Sequence, residues 1–197
     1  MKTLALFFSG TGGNALNLIT ACREGRLPAR PVMGLASTPK AGGIARLEAE
    51  GLPVAVVARK DFDSDEAFSE ACYRAAENAG ANLICLCGWL KKLTVPRRWE
   101  GRILNIHPGL LPRFGGPGMY GMHVHRAVLA AGGAESGATV HLVDAEYDHG
   151  RILAQARVPV HPGDTPEELQ KRVYAAEMDL YPRALAAFLQ DGSASGR

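Results

Sequence analysis

Cysteine is scarce in this chain, four residues in 197, and no two of them form a CxxC pair. Cys85 and Cys87 lie in an apolar run where alternate residues face opposite ways, and Cys22 and Cys72 stand far apart in sequence. A disulfide framework and a zinc cluster are both disfavoured, and reduced, mostly buried thiols are expected. A chain of this length buries roughly 70% of the surface that its unfolded form exposes, so its core needs no staple. Charge of one sign is also lacking: 22 Lys plus Arg stand against 20 Asp plus Glu, a net charge of +2 without clustered cations. Nucleic-acid binding, which displaces counterions with clustered cations, is not expected. No apolar run approaches the ~20 residues of a membrane span, and Met1 to Phe8 lacks the length and cleavage pattern of a secretory signal. The expected location is the cytoplasm, with no membrane partner.

What is present is a 47% hydrophobic chain in which short apolar runs alternate with helical periodicity. Thr3 to Phe8, Val32 to Ala36, Val54 to Val57, Leu83 to Cys87, Ile103 to Ile106, Ala138 to Val143 and Ile152 to Val160 read as strands. Helices are predicted after the first glycine turn, over Ile44 to Glu50, behind a capping box at Asp63 and Glu66, and from Thr165, where Pro166 and Glu168 complete a second box. Pro182 is expected to kink or restart that last helix. The pattern predicts one α/β domain over residues 1–189, a Rossmann-like doubly wound and mostly parallel sheet, with a small polar tail over 190–197 expected to be disordered. Ligands of such sheets bind at the carboxyl ends of the strands, so Ser9 to Asn14, Gly88 to Thr94, Asn105 to Phe114 and Asp144 to Gly150 should converge.

Three constellations fall in those loops. Gly10-Thr11-Gly12-Gly13-Asn14-Ala15 opens a helix, where close backbone approach and the helix amino end suit an anion. The acid that would hold a dinucleotide ribose is missing from Ser37-Thr38-Pro39-Lys40, and the Walker lysine is missing as well. A single phosphate cradle and a plain tight turn remain the alternatives. Asn105 and His107 are two apart on a strand end and share a face, so an amide donor and an imidazole meet there, either as reactive groups or as satisfied core polars. Asp148 sits in a turn between strands, where it either orients His107 or serves the turn itself. His123 and His125 are two apart on a helix and face different ways, so no metal is expected. Lys91 and Lys92 mark either a solvated turn or the rim of a pocket for an acidic ligand.

Taken in order and spacing from Thr3 to Leu189, SGTGGN, CGWLKKL, NIHPGLLP and HLVDAEYDHGRILAQARVPV resemble the phosphoribosylglycinamide formyltransferase family. The resemblance implies 10-formyltetrahydrofolate as formyl donor, phosphoribosylglycinamide as acceptor and no metal. It implies catalytic roles for Asn105, His107 and Asp148. Gly12, Gly13 and Asn14 would hold the substrate phosphate, and Glu177 would meet the ribose hydroxyls. Leu90, Lys91, Lys92 and Leu93, with Val143, Asp144, Ala145 and Glu146, would surround the folate pterin. The implied chemistry is direct attack by the amine, with Asn105 and a protonated His107 on the oxyanion and Asp148 relaying protons through water.

The chain departs from that pattern in three places. Phe114 to Gly121 is longer than the usual Pro-Gly link, as a glycine-hinged lid or a change in acceptor specificity would require. Gly109 stands where Ser is common, and Asp144-Ala145-Glu146 differs from common versions of its turn. The extra domains of methionyl-tRNA formyltransferase and formyltetrahydrofolate hydrolase are not expected, and a monomer or homodimer is. Rival readings are an amino-sugar nucleotide formyltransferase, a formyltetrahydrofolate hydrolase, or a noncatalytic folate or nucleotide binding protein.

Overall fold

The computed structural model describes the backbone of residues 1–194 and the side chains of residues 1–191. Twelve principal elements follow one another as β1 (Lys2–Phe8), α1 (Gly13–Arg23), β2 (Ala29–Ala36), α2 (Gly43–Ala49), β3 (Val54–Val56), α3 (Asp65–Asn78), β4 (Leu83–Leu86), β5 (Ile103–His107), α4 (Met122–Ala130), β6 (Glu135–Leu142), β7 (Ile152–Pro159) and α5 (Pro166–Ala194). They build one seven-stranded sheet in the order β3-β2-β1-β4-β5-β6-β7. The first five strands run parallel, and at one side of the sheet β6 pairs antiparallel with β5 and β7 antiparallel with β6. The α/β class and the mostly parallel sheet are as the alternation of elements predicts.

Period-two patterning in β1 explains how both faces are covered. Leu4, Leu6 and Phe8 point into one core with α1, α4 and α5, while Ala5 and Phe7 point into the other with α3. Phe7 and Phe8 are both fully buried, which contributes roughly 1.5–3 kcal/mol each. The chain enters the sheet at β1 and turns to both sides of it, pairing β1 with β2 and with β4. That reversal of winding opens a crevice at the carboxyl ends of β1 and β4. Ser9 closes its floor, its N–H donating to Gly88 O at 3.1 Å and its Oγ accepting from Leu90 N at 2.9 Å.

Three local expectations need correction. The cap of α3 is Ser64 rather than Asp63: Ser64 has extended backbone and its Oγ accepts from Ala67 N at 3.1 Å. Glu66 then lies inside the first turn, beside Asp65, where both carboxylates face the positive helix end. Pro182 does not restart α5, which runs unbroken from Pro166 to Ala194. A proline at 182 leaves the carbonyl of Met178 without its helical donor, and Asn17 from α1 supplies the replacement, Nδ2 to Met178 O at 2.7 Å. The helix also extends through Gln190 to Ala194, where a disordered tail is expected, and residues 195–197 of that expected tail lie outside the described residues. The second capping box is present, with Thr165 N donating to Glu168 Oε2 at 2.8 Å and Glu168 N to Thr165 Oγ1 at 3.2 Å.

Candidate active site

A cavity of about 430 Å³ lies over the carboxyl ends of β4 and β5, and the four loops expected to converge all contribute to it. Asn14 and Glu177 line one end. Leu90, Lys91, Lys92, Leu93 and Val143 to Glu146 line the other, and Asn105, His107 and Asp148 stand between them. Gly12 and Gly13 lie outside this lining, in the turn below it. Gly12 has a φ of +69° and caps α1 without any side-chain hydrogen bond, so no side chain at the cap satisfies the first-turn N–H groups. Lys91 and Lys92 are exposed at the rim, whereas Leu93 is buried. His123 is exposed and His125 buried, and among the described residues no group of three His, Cys, Asp or Glu side chains is arranged to hold a metal. All four cysteines are free, three of them buried.

The antiparallel pairing of β5 and β6 sets the reacting groups. It places His141 opposite Asn105 and Thr139 opposite His107. Asn105 Nδ2 lies 3.1 Å from His141 Nε2, and His141 Nδ1 lies 2.8 Å from Leu142 O. A carbonyl only accepts, so Nδ1 of His141 carries a proton, and Nε2 lies between the Asn105 amide and Asp148 Oδ1. At least one Asn105 N–H is left for a ligand. Thr139 pins the following turn, its hydroxyl donating to Gly109 O at 2.7 Å and accepting from Leu111 N at 3.1 Å.

Asp148 bridges two imidazoles, with Oδ2 3.6 Å from His107 Nδ1 and Oδ1 3.5 Å from His141 Nε2. Gly116 N also donates to its Oδ2 at 3.0 Å. Burial raises the Asp148 carboxyl, but the His141 contact, the His107 charge and the Gly116 N–H outweigh it and hold the group below its ordinary value. Asp148 is the one non-glycine residue with left-handed backbone among the described residues, φ +54°, a strain of order 1 kcal/mol held at the site. His107 is buried, and its Nε2 donates to Phe114 O at 2.6 Å. Burial lowers its basicity more than Asp148 and Phe114 restore it. Desolvation therefore disfavours the imidazolium in the ligand-free site.

Glu177 is 7% exposed and its carboxylate has one donor, Asn14 Nδ2 at 2.8 Å. Burial pushes this carboxyl up to about 7, against the smaller opposing effect of the Asn14 amide. The far wall is aromatic and apolar, with Trp89 stacked on Phe68 at 6.0 Å between centroids and interplanar 10°. Sequence reasoning missed His141, Tyr174 and the backbone groups of Phe114 and Gly116. The role of His141 depends on an antiparallel register that no local pattern carries. Tyr174 was within reach, one helical turn before Glu177 and so on the same face of α5.

Residues 2–185 match the formyl transferase family. The chain is 42% identical over 189 residues to the trifunctional purine biosynthetic protein adenosine-3 of Drosophila pseudoobscura pseudoobscura, covering 94% of this chain but only 14% of that relative's length. It is 35% identical to the phosphoribosylglycinamide formyltransferase of Haemophilus influenzae, over 96% of this chain and 88% of the relative. The crystal structure of phosphoribosylglycinamide formyltransferase from Brucella melitensis superposes with a TM-score of 0.84 at 44% identity, covering 100% of this chain and 97% of that one. The chain belongs to the formyl transferase family, alongside members named phosphoribosylglycinamide formyltransferase.

Proposed function

We propose that this chain transfers the formyl group of 10-formyltetrahydrofolate to the amine of 5'-phosphoribosylglycinamide, a step of de novo purine synthesis in the cytoplasm. The observation that carries the reading is the placement of Asn105, His107 and Asp148 between two unlike cavity ends. One end offers an uncapped helix terminus and a buried carboxyl, which suit a phosphorylated ribose. The other offers an apolar and aromatic wall, Trp89, Leu93 and Val143, which suits a flat pterin. Leu90 to Leu93 and Val143 to Glu146 hold the donor there, and Gly12, Gly13, Asn14 and Glu177 hold the acceptor.

The free Asn105 N–H and the His107 imidazole stabilise the oxyanion that forms when the acceptor amine attacks the formyl carbon. A proton leaves the attacking nitrogen as the C–N bond forms. Asp148, held ionised, passes it through water toward the departing donor nitrogen, while the His107 imidazole stays beside the developing negative charge. Collapse of the tetrahedral species expels the donor nitrogen and leaves the formamide. The test is donor conversion by the purified chain with and without phosphoribosylglycinamide. Conversion should require the acceptor, and His107→Ala, Asn105→Ala and Asp148→Asn should each lower turnover by ~10² or more without unfolding the protein. Near-normal turnover by folded His107→Ala would overturn the proposal.

A further inference from the structure

A line of three side chains crosses the sheet behind the reacting groups. The pairing of β5 with β6 sets Thr139 opposite His107, and the pairing of β6 with β7 sets Gln155 opposite Thr139, so the three share one face. Thr139 is fully buried, whereas Gln155 stands on the outermost strand and is exposed. The Gln155 amide still reaches inward, its Nε2 donating to Leu111 O and to Thr139 Oγ1, each at 2.9 Å. A carbonyl only accepts, so the amide nitrogen must face Leu111, and both of its protons are spent. The Thr139 hydroxyl is spent as well, because it donates to Gly109 O while accepting from Leu111 N and from Gln155.

The segment that these two side chains hold, residues 109–111, leads directly to Phe114 and Gly116, whose backbones touch the reacting groups. Phe114 is anchored in the core, and its carbonyl accepts from His107 Nε2 at 2.6 Å. Gly116 N donates to Asp148 Oδ2 at 3.0 Å. Two bare positions allow this close approach. A Cβ at position 109 would lie 3.0 Å from His107 Nε2, and one at position 115 would press into Leu111 Cδ2 and lie 2.9 Å from Asp148 Cβ. With Nε2 committed to Phe114 O, Nδ1 is the His107 nitrogen that faces Asp148, 3.6 Å from Oδ2.

We propose that Gln155, with Thr139, is a positioning residue for formyl transfer: it pegs residues 109–111 to the outer strands so that Phe114 O holds the His107 ring with Nδ1 toward Asp148. Neither Gln155 nor Thr139 is among the residues that line the cavity, so their effect on turnover travels through the ring that they orient. The inference rests on the transfer reading given above. It adds to that reading a residue of β7, two strands away from His107.

Nuclear magnetic resonance and steady-state kinetics on the full chain test it together. Long-range proton–nitrogen correlation spectra of histidine-labelled protein, assigned by the signal lost in His107→Ala, should show neutral His107 protonated at Nε2. Protonation at Nδ1 instead would refute the proposal. Gln155→Leu keeps the bulk of the side chain and removes both donors. It should lower kcat about tenfold while KM for donor and acceptor stays within about twofold, because the reacting groups shift and the binding groups do not. The His107 titration followed in the same spectra should move to lower pH, since the Phe114 carbonyl favours the imidazolium. Thr139→Val should act in the same direction, and the double variant should lose less than the two single losses combined, as both act through one turn. Unchanged kcat with an unmoved titration in Gln155→Leu, or a rise in KM alone, would likewise refute the proposal. If the unaltered chain transfers no formyl group to phosphoribosylglycinamide, the transfer reading falls, and the ring orientation and its titration alone decide whether Gln155 positions His107.

Discussion

Glu177 shows how a single residue trades stability for function. Its carboxyl is raised from an ordinary 4.5 to about 7 by burial, so the folded chain holds a proton there that the unfolded chain has released. The stabilising protonated form is fully present below 4.5, and its contribution is lost as pH rises through about 7, a fall of roughly 3 kcal/mol. Urea unfolding at pH 5 and pH 8 should show this fall in the unaltered protein, and Glu177→Gln should remove most of it. An equal fall in both proteins would show that the titrating group lies elsewhere. His141 acts in the opposite direction on Asp148: burial alone would raise that carboxyl, and His141 is the largest of the groups that hold it down. His141→Ala should therefore move the acid limb of kcat/KM to higher pH, and an unmoved limb would separate His141 from the chemistry. Asn105, His107 and Asp148 were legible in the sequence because each is a reactive type at a strand end or turn. His141 was not, because its place depends on which residue of β5 it meets across the sheet.

At the scale of elements, the strands were read from period-two burial and the helices from caps and glycines, and most boundaries moved by only a residue or two. That α5 continues through Pro182 has a physical cause, because the carbonyl freed by the proline has another donor. Asn17 from α1 is that donor, far before the proline in the chain, and no window of local sequence contains both. Asn17→Ala should cost about 1–2 kcal/mol by leaving Met178 O unsatisfied. Pro182→Ala restores a backbone N–H at that carbonyl, so in this background Asn17→Ala should cost much less. Chemical denaturation of the two single variants and the double variant gives the coupling directly, and additive losses would mean that the Asn17 amide is not the substitute donor.

In the molecule as a whole, the reversal of winding at β1 and β4 opens the crevice, the antiparallel β5 to β7 segment supplies His141 and Asp148, and α5 returns across the sheet to bring Glu177 and Tyr174 to the glycine turn. Among the described residues, no helix is long and apolar enough to cross a membrane. The central claim is that one end of the cavity selects a phosphorylated ribose amine, with the formyl donor at the other end. It is tested most directly by measuring kcat/KM for formyl transfer from 10-formyltetrahydrofolate to phosphoribosylglycinamide, to an amino-sugar nucleotide and to water in parallel. The account predicts at least ~10²-fold preference for phosphoribosylglycinamide over the amino-sugar nucleotide, because the wrong acceptor leaves buried polar groups such as Glu177 and Asn14 unpaired. Comparable rates on both amines, or donor hydrolysis that is indifferent to either, would contradict it.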